Sequence, residues 1–145
     1  MCRAHVLGTE PNIKDEFIRG GKVKMVFNHI LDFGNSARLS QAAECAGDQG
    51  RFWAMHDLLF EQQGRLFSGN PDPTLLGLAR DLQLDEAAFG QCLSSSKYAD
   101  FVRQVDAEAK AAGIRVRPTF ILGQRRIQGA LPWPQFQAAL AEATK

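Results

Sequence analysis

Gly113-Ile114-Arg115-Val116-Arg117-Pro118-Thr119-Phe120-Ile121-Leu122-Gly123 is the stretch from which the fold is read. Gly113 closes a long helical pattern. Thr119-Phe-Ile-Leu is a short apolar run, Gly123-Gln124 is turn material, and Arg126-Ile-Gln resumes extended structure, which together predict a β-hairpin. Pro118 stands immediately before the first strand, a position that suits a tight turn with a cis peptide. A cis bond there would bring the Arg117 backbone close to the start of the first helix, where it can pair with a bound extended peptide. From the residues alone an ordinary trans proline is expected, because only about 5–6% of X-Pro bonds in folded proteins are cis. Downstream, Pro134 opens a last helix whose buried positions are Phe136, Ala139, Leu140 and Ala143.

Upstream of Gly113 the chain reads as helical over 36–112. Asn35 or Ser36 is placed to cap a helix through Cys45. Phe52, Met55, Leu58 and Leu59 recur at helical spacing, with Trp53 and Phe60 widening the stripe. Asp72-Pro73 starts another helix, followed by Leu75, Leu76, Leu78, Ala79 and Leu82. Asp85 caps a short helix carrying Phe89 and Cys92. Ser95 or Ser96 caps a longer one carrying Tyr98, Phe101, Val102, Val105 and Ala109. Before this block, Val6, Leu7, Ile13, Phe17 and Ile18 mark a first helix, which Pro11 should bend or split near Gly8 and Gly20-Gly21 should end. The run Lys22-Val-Lys-Met-Val-Phe alternates polar and apolar, predicting a strand with Val23, Met25 and Phe27 on one face. The order is helix, strand, helical block, hairpin, helix.

With 145 residues, 45% apolar and 23% charged, the chain is long enough to bury a core as one domain without disulfide staples. A formal charge of +1 gives no reason to expect nucleic acid or an acidic membrane as partner. No apolar run approaches the roughly 20 residues that span a bilayer. No secretory leader is visible, so the chain as it stands reads as cytoplasmic. Three cysteines exclude a secreted disulfide scaffold.

Cys2 sits at a helix start, where unpaired amides and the positive end of the macrodipole stabilise a thiolate. Arg3 and His5 add positive or polarisable charge nearby. The sulfur is therefore a candidate nucleophile, or else an accidental cysteine on a frayed end. Cys2 and His5 alone do not make a zinc site, and no metal or cofactor is expected. Cys45 and Cys92 lie among apolar helical residues and are expected to pack as small buried hydrophobes, although the sequence does not decide whether they are bonded. His56 reads as a core or helix-surface histidine, and Phe52, Trp53 and Phe60 as core.

Ala42-Ala-Glu-Cys-Ala-Gly-Asp-Gln-Gly-Arg-Phe-Trp-Ala-Met-His-Asp-Leu-Leu-Phe resembles the helical insertion of DsbA-like thiol-disulfide oxidoreductases. So do Phe89-Gly-Gln-Cys-Leu, 113–123, and Gly129-Ala-Leu-Pro with Phe136. Cys2-Arg-Ala-His-Val-Leu resembles the second cysteine of their C-x-x-C motif and the helix after it. The resemblance implies an α/β, thioredoxin-like fold with an inserted helical subdomain: residues 1–34 and 113–145 form the thioredoxin core and 35–112 the insertion. It implies that Cys2 and a cis Pro118 are the catalytic positions, that Arg117 and His5 lie at the substrate, and that protein thiols or disulfides are the partners. The attacking cysteine of the motif would lie three residues before Cys2, so the chain as it stands retains at most a single-thiol activity. Arg117 also departs from the small or apolar residue usual before the proline.

In this fold a strand precedes the first helix, inside the sheet, and the chain has no room for it before Cys2. Each buried backbone group left unpaired costs about 1–3 kcal/mol, so several would exceed a stability of about 5–15 kcal/mol. Direct pairing of 22–27 with the hairpin, a strand borrowed from a second copy, or upstream residues would relieve this. Association or sheet rearrangement is expected, with a symmetric dimer the simplest closed form. Two other functions are consistent with parts of the sequence: a redox-inactive, self-associating module, and a kappa-type glutathione transferase or isomerase, against which Cys2 and the insertion motif argue.

Overall fold

In the computed structural model, which describes residues 1–145, the chain is helical from Cys2 to Ile18 without a break. Pro11 does not split this helix at Gly8. Instead the turn over His5–Thr9 widens, and the Glu10 N–H reaches five residues back to the His5 carbonyl. A proline ring collides with the carbonyl four residues earlier, and a wider turn upstream makes room for it. Gly21, at φ +70°, then ends the helix, with the Lys22 N–H on the Phe17 carbonyl at 2.9 Å.

The predicted strand at 22–27 does not form. The sheet has two strands only, β1 (Thr119–Leu122) and β2 (Arg125–Gln128). Alternation supplies a face but not a ladder partner, and the segment does not pair directly with the hairpin. Val23 and Met25 are half-buried as the alternation requires, whereas Phe27 is exposed. The hairpin itself follows the sequence: Leu122 faces Arg125 across a two-residue turn, and Gly123 at φ +61° supplies the left-handed turn residue.

The chain divides into two compact units, Met1–Phe27 with Gly113–Lys145, and Asn28–Ala112. In the first, Ile13 and Phe17 meet Phe136 and Leu140 of the last helix, Trp133–Ala143. Val23, Phe120, Leu122 and Trp133 pack around them. The Gln137 side-chain amide donates to Glu16 at 2.6 Å, tying the first helix to the last. Ala143, expected inside, is exposed at the helix end.

The second unit is all helical: Ser36–Gly47, Phe52–Glu61, Gln63–Leu66, Asp72–Asp81, Glu86–Ser94 and Ala99–Ala111. Ala42, Ala43 and Ala46 keep one side of the first of these small, and Met55, Leu75, Leu78, Phe89 and Leu93 close around it. Phe101 is 47% exposed, so the apolar stripe of the last helix is narrower than its spacing predicts. Asp85 caps as expected, accepting from the Ala88 N–H at 2.9 Å. Asn35 does not: its amide donates to the Leu66 and Gly69 carbonyls. Ser95 and Ser96 lie in the turn before Tyr98, which is the residue preceding the last helix of this unit. Arg38 forms a two-pronged pair with Asp72 at 2.8 and 2.7 Å and donates to the Leu93 carbonyl at 2.7 Å, joining three helices.

Cys45 and Cys92, whose bonding the sequence leaves open, are joined by a disulfide that closes a sequence separation of 47 residues. Beside it, Asp48 accepts from Lys97 at 2.7 Å and from the Tyr98 hydroxyl. Those two hydrogen bonds, Lys97's first, hold the Asp48 carboxyl below its ordinary 3.8, and the Arg38 guanidinium does the same for Asp72.

Two measurements follow from this unit. Cys45→Ala/Cys92→Ala lowers its stability by about 2–4 kcal/mol in a denaturant melt, through the freed unfolded chain; an unchanged midpoint would show that the bond does not form. Because Asp48 and Asp72 have lowered folded pKa values, their stabilisation is complete above the unfolded value and is lost as pH falls through the folded one. Chemical denaturation from pH 7 down to about 3 should therefore show stability declining below about pH 4, with a shallower decline in Asp72→Asn.

Candidate functional site

The first turn of the first helix carries Cys2, the cysteine outside the Cys45–Cys92 disulfide. Cys2 is half-exposed, preceded by Met1 at the helix cap with no side-chain cap bond. One turn further, His5 is 4% exposed. Its ring lies 4.5 Å from that of Phe120 and 5.4 Å from that of Phe136, and the two phenyl rings meet edge to face at 4.7 Å. Helical spacing explains the placement: His5 shares the inward face with Val6 and Ile13, and an imidazole presents flat apolar edges to aromatic neighbours. His5, which the resemblance places at the substrate, lies inside the ring cluster, where it packs the helix start against β1.

Pro118 lies two residues before Phe120, and the Arg117–Pro118 peptide is cis. Two hydrogen bonds shape this end of β1. The Pro118 carbonyl accepts from the Gly129 N–H at 2.8 Å, and the Thr119 hydroxyl donates to the Val116 carbonyl at 2.5 Å. Pro118 is half-buried and Arg117 exposed, its guanidinium near the Arg115 carbonyl at 3.5 Å. The ring cluster thus connects the helix turn after Cys2 to the strand after Pro118, both within the first unit.

Chemically, this surface offers the Cys2 sulfur, while Cys45 and Cys92 are bonded to each other in the helical unit. That bond is the feature the sequence leaves undecided. Both cysteines sit on helical faces that also suit simple packing, and nothing local distinguishes the two states.

A family model described as thioredoxin matches residues 1–142. The fold is that of DsbA-type proteins. It is similar to oxidised BdbD from Bacillus subtilis, with a TM-score of 0.86 at 22% identity, covering 99% of this chain and 80% of that one. It is likewise similar to alpha-DsbA1 of Wolbachia pipientis, with a TM-score of 0.82 at 18% identity over 99% and 79%. Among curated relatives, Na(+)/H(+) antiporter NhaA 1 of Salinispora arenicola is 32% identical over 137 residues, 92% of this chain and 20% of the antiporter. The antiporter NhaA of Herminiimonas arsenicoxydans is 30% identical over 127 residues, covering 88% and 20%. The chain thus spans about a fifth of the length of the curated relatives it matches, and no helix in it is long and apolar enough to cross a membrane. On the family match over nearly its whole length, the chain belongs to the thioredoxin family.

Proposed function

We propose that this chain is a thioredoxin-type redox module of the DsbA-like kind, acting on protein disulfides through the single thiol of Cys2. The observation that carries the reading is a half-exposed sulfur on a helix start whose next turn is held by His5 against the strand following cis Pro118. In the reaction the Cys2 thiolate attacks one sulfur of a client disulfide. The Cys2–client S–S bond forms as the client's own S–S bond breaks, and the departing sulfur leaves as a thiolate that takes a proton from water. With no adjacent second thiol to resolve it, the mixed disulfide accumulates, and Cys2 leaves as a thiolate only through slow attack of an external thiol on the client sulfur. The backbone at Arg117 and Pro118 faces the client, and His5 acts as a positioning residue.

The open edge of β1 and a 22–27 segment that lies outside the sheet support self-association, since a strand from a second copy would complete the ladder. The Cys45–Cys92 bond favours an oxidising compartment over the cytoplasm. A second reading is favoured by the extent of the antiporter match: the chain serves as a redox module beside a membrane ion antiporter, since the matching region covers 92% of it.

At pH 7 a free cysteine, of pKa about 8.5, is only a few per cent thiolate. Cys2 should form a mixed disulfide with a neutral aromatic disulfide reagent about tenfold faster than free cysteine does. Cys2→Ser should abolish the reaction, and insulin reduction should show no turnover. A rate no faster than free cysteine, or sustained insulin turnover, refutes the single-thiol reading.

A further inference from the structure

The formal charge of +1 conceals a separation. Met1–Phe27 and Gly113–Lys145 together hold ten Lys and Arg against four Asp and Glu, a formal +6. Asn28–Ala112 holds seven against twelve, a formal −5. Within Gly113–Lys145 five basic residues face a single acidic one, Glu142. The unit that carries the reactive thiol is therefore strongly cationic.

The hairpin register sorts these charges by face. Phe120 and Ile127 are opposite each other and point inward, Ile127 being 5% exposed. Leu122 and Arg125 share that side, and Arg125 reaches Glu142 of the last helix at 3.4 Å. Period-two alternation sends the Ile121–Arg126 pair to the opposite face, where Ile121 is 58% exposed. Arg126 reaches from there to the Gly113 carbonyl at 3.5 Å, so its guanidinium lies at the root of the loop leading to Pro118. Arg115 and Arg117 are exposed on that same loop, on either side of Val116, itself 36% exposed.

We propose that Arg115, Arg117 and Arg126, with Val116 and Ile121 between them, form a recognition surface for acidic, apolar-containing polypeptide segments. The surface selects clients whose disulfide lies in a sequence rich in Asp and Glu. This rests on the proposed reaction at Cys2, whose client class it names. Guanidinium forks match carboxylates in two-pronged geometry, and exposed aliphatic side chains beside them suit a polypeptide better than a bare polyanion. The net positive charge of the unit that carries Cys2 also raises the local concentration of acidic clients.

The test separates recognition from chemistry. Binding is measured on Cys2→Ser by fluorescence anisotropy with three labelled peptides of one length, bearing Asp/Glu, Ser or Lys around Val and Ile. The acidic peptide should bind about tenfold more tightly than the neutral one at about 50 mM salt, with the gap largely closed at about 500 mM. Arg115→Ser/Arg126→Ser should remove most of that preference, whereas Arg80→Ser/Arg103→Ser, an equal charge change in the other unit, should not. Equal binding of all three peptides, equal loss in both variants, or tighter binding of a DNA duplex than of the acidic peptide overturns the proposal. Cys2 reactivity toward the neutral reagent is scored independently, so failure of the redox reading shows there and not in the binding.

Discussion

The three-ring contact of His5, Phe120 and Phe136 is the constraint on which the first unit depends. It joins three elements that the chain order keeps far apart: the start of the first helix, the first hairpin strand and the last helix. With only a two-stranded sheet, this unit lacks the backbone ladder that ordinarily organises a mixed fold. Side-chain packing performs that task, through the rings and through Ile13, Phe17 and Leu140 beneath them.

The helical unit is held differently. Its core is large for its length and contains small residues that let helices approach closely. Cross-helix ties are covalent at Cys45–Cys92 and ionic at Arg38–Asp72. The disulfide acts chiefly on the unfolded chain and adds little to the packing already made by Phe89 and Leu93. The two units thus reach stability by separate means, and their opposite formal charges show that the sequence also divides electrostatically.

Much of the architecture was legible from local chemistry. The hairpin at 119–128 was readable because glycine at a two-residue turn and alternating side chains specify register without reference to the rest of the chain. The Asp85 cap and the Pro73 and Pro134 helix starts were readable for the same reason. Asn35 shows the limit: its side chain suits a cap, yet the Leu66 and Gly69 carbonyls, distant in sequence, claimed its amide. Pro11 shows another, since its collision was visible but the widening of a turn that absorbs it was not.

By itself the sequence determined which segments are helical, where the hairpin turns, and that a thiol stands on a helix start, because each depends on residues within a few positions of one another. Only the tertiary structure decided that 22–27 stays out of the sheet, that Cys45 and Cys92 meet, and that His5 turns inward. Those outcomes rest on partners dozens of residues away, and a ladder, a disulfide or a ring cluster exists only when the fold delivers the second member.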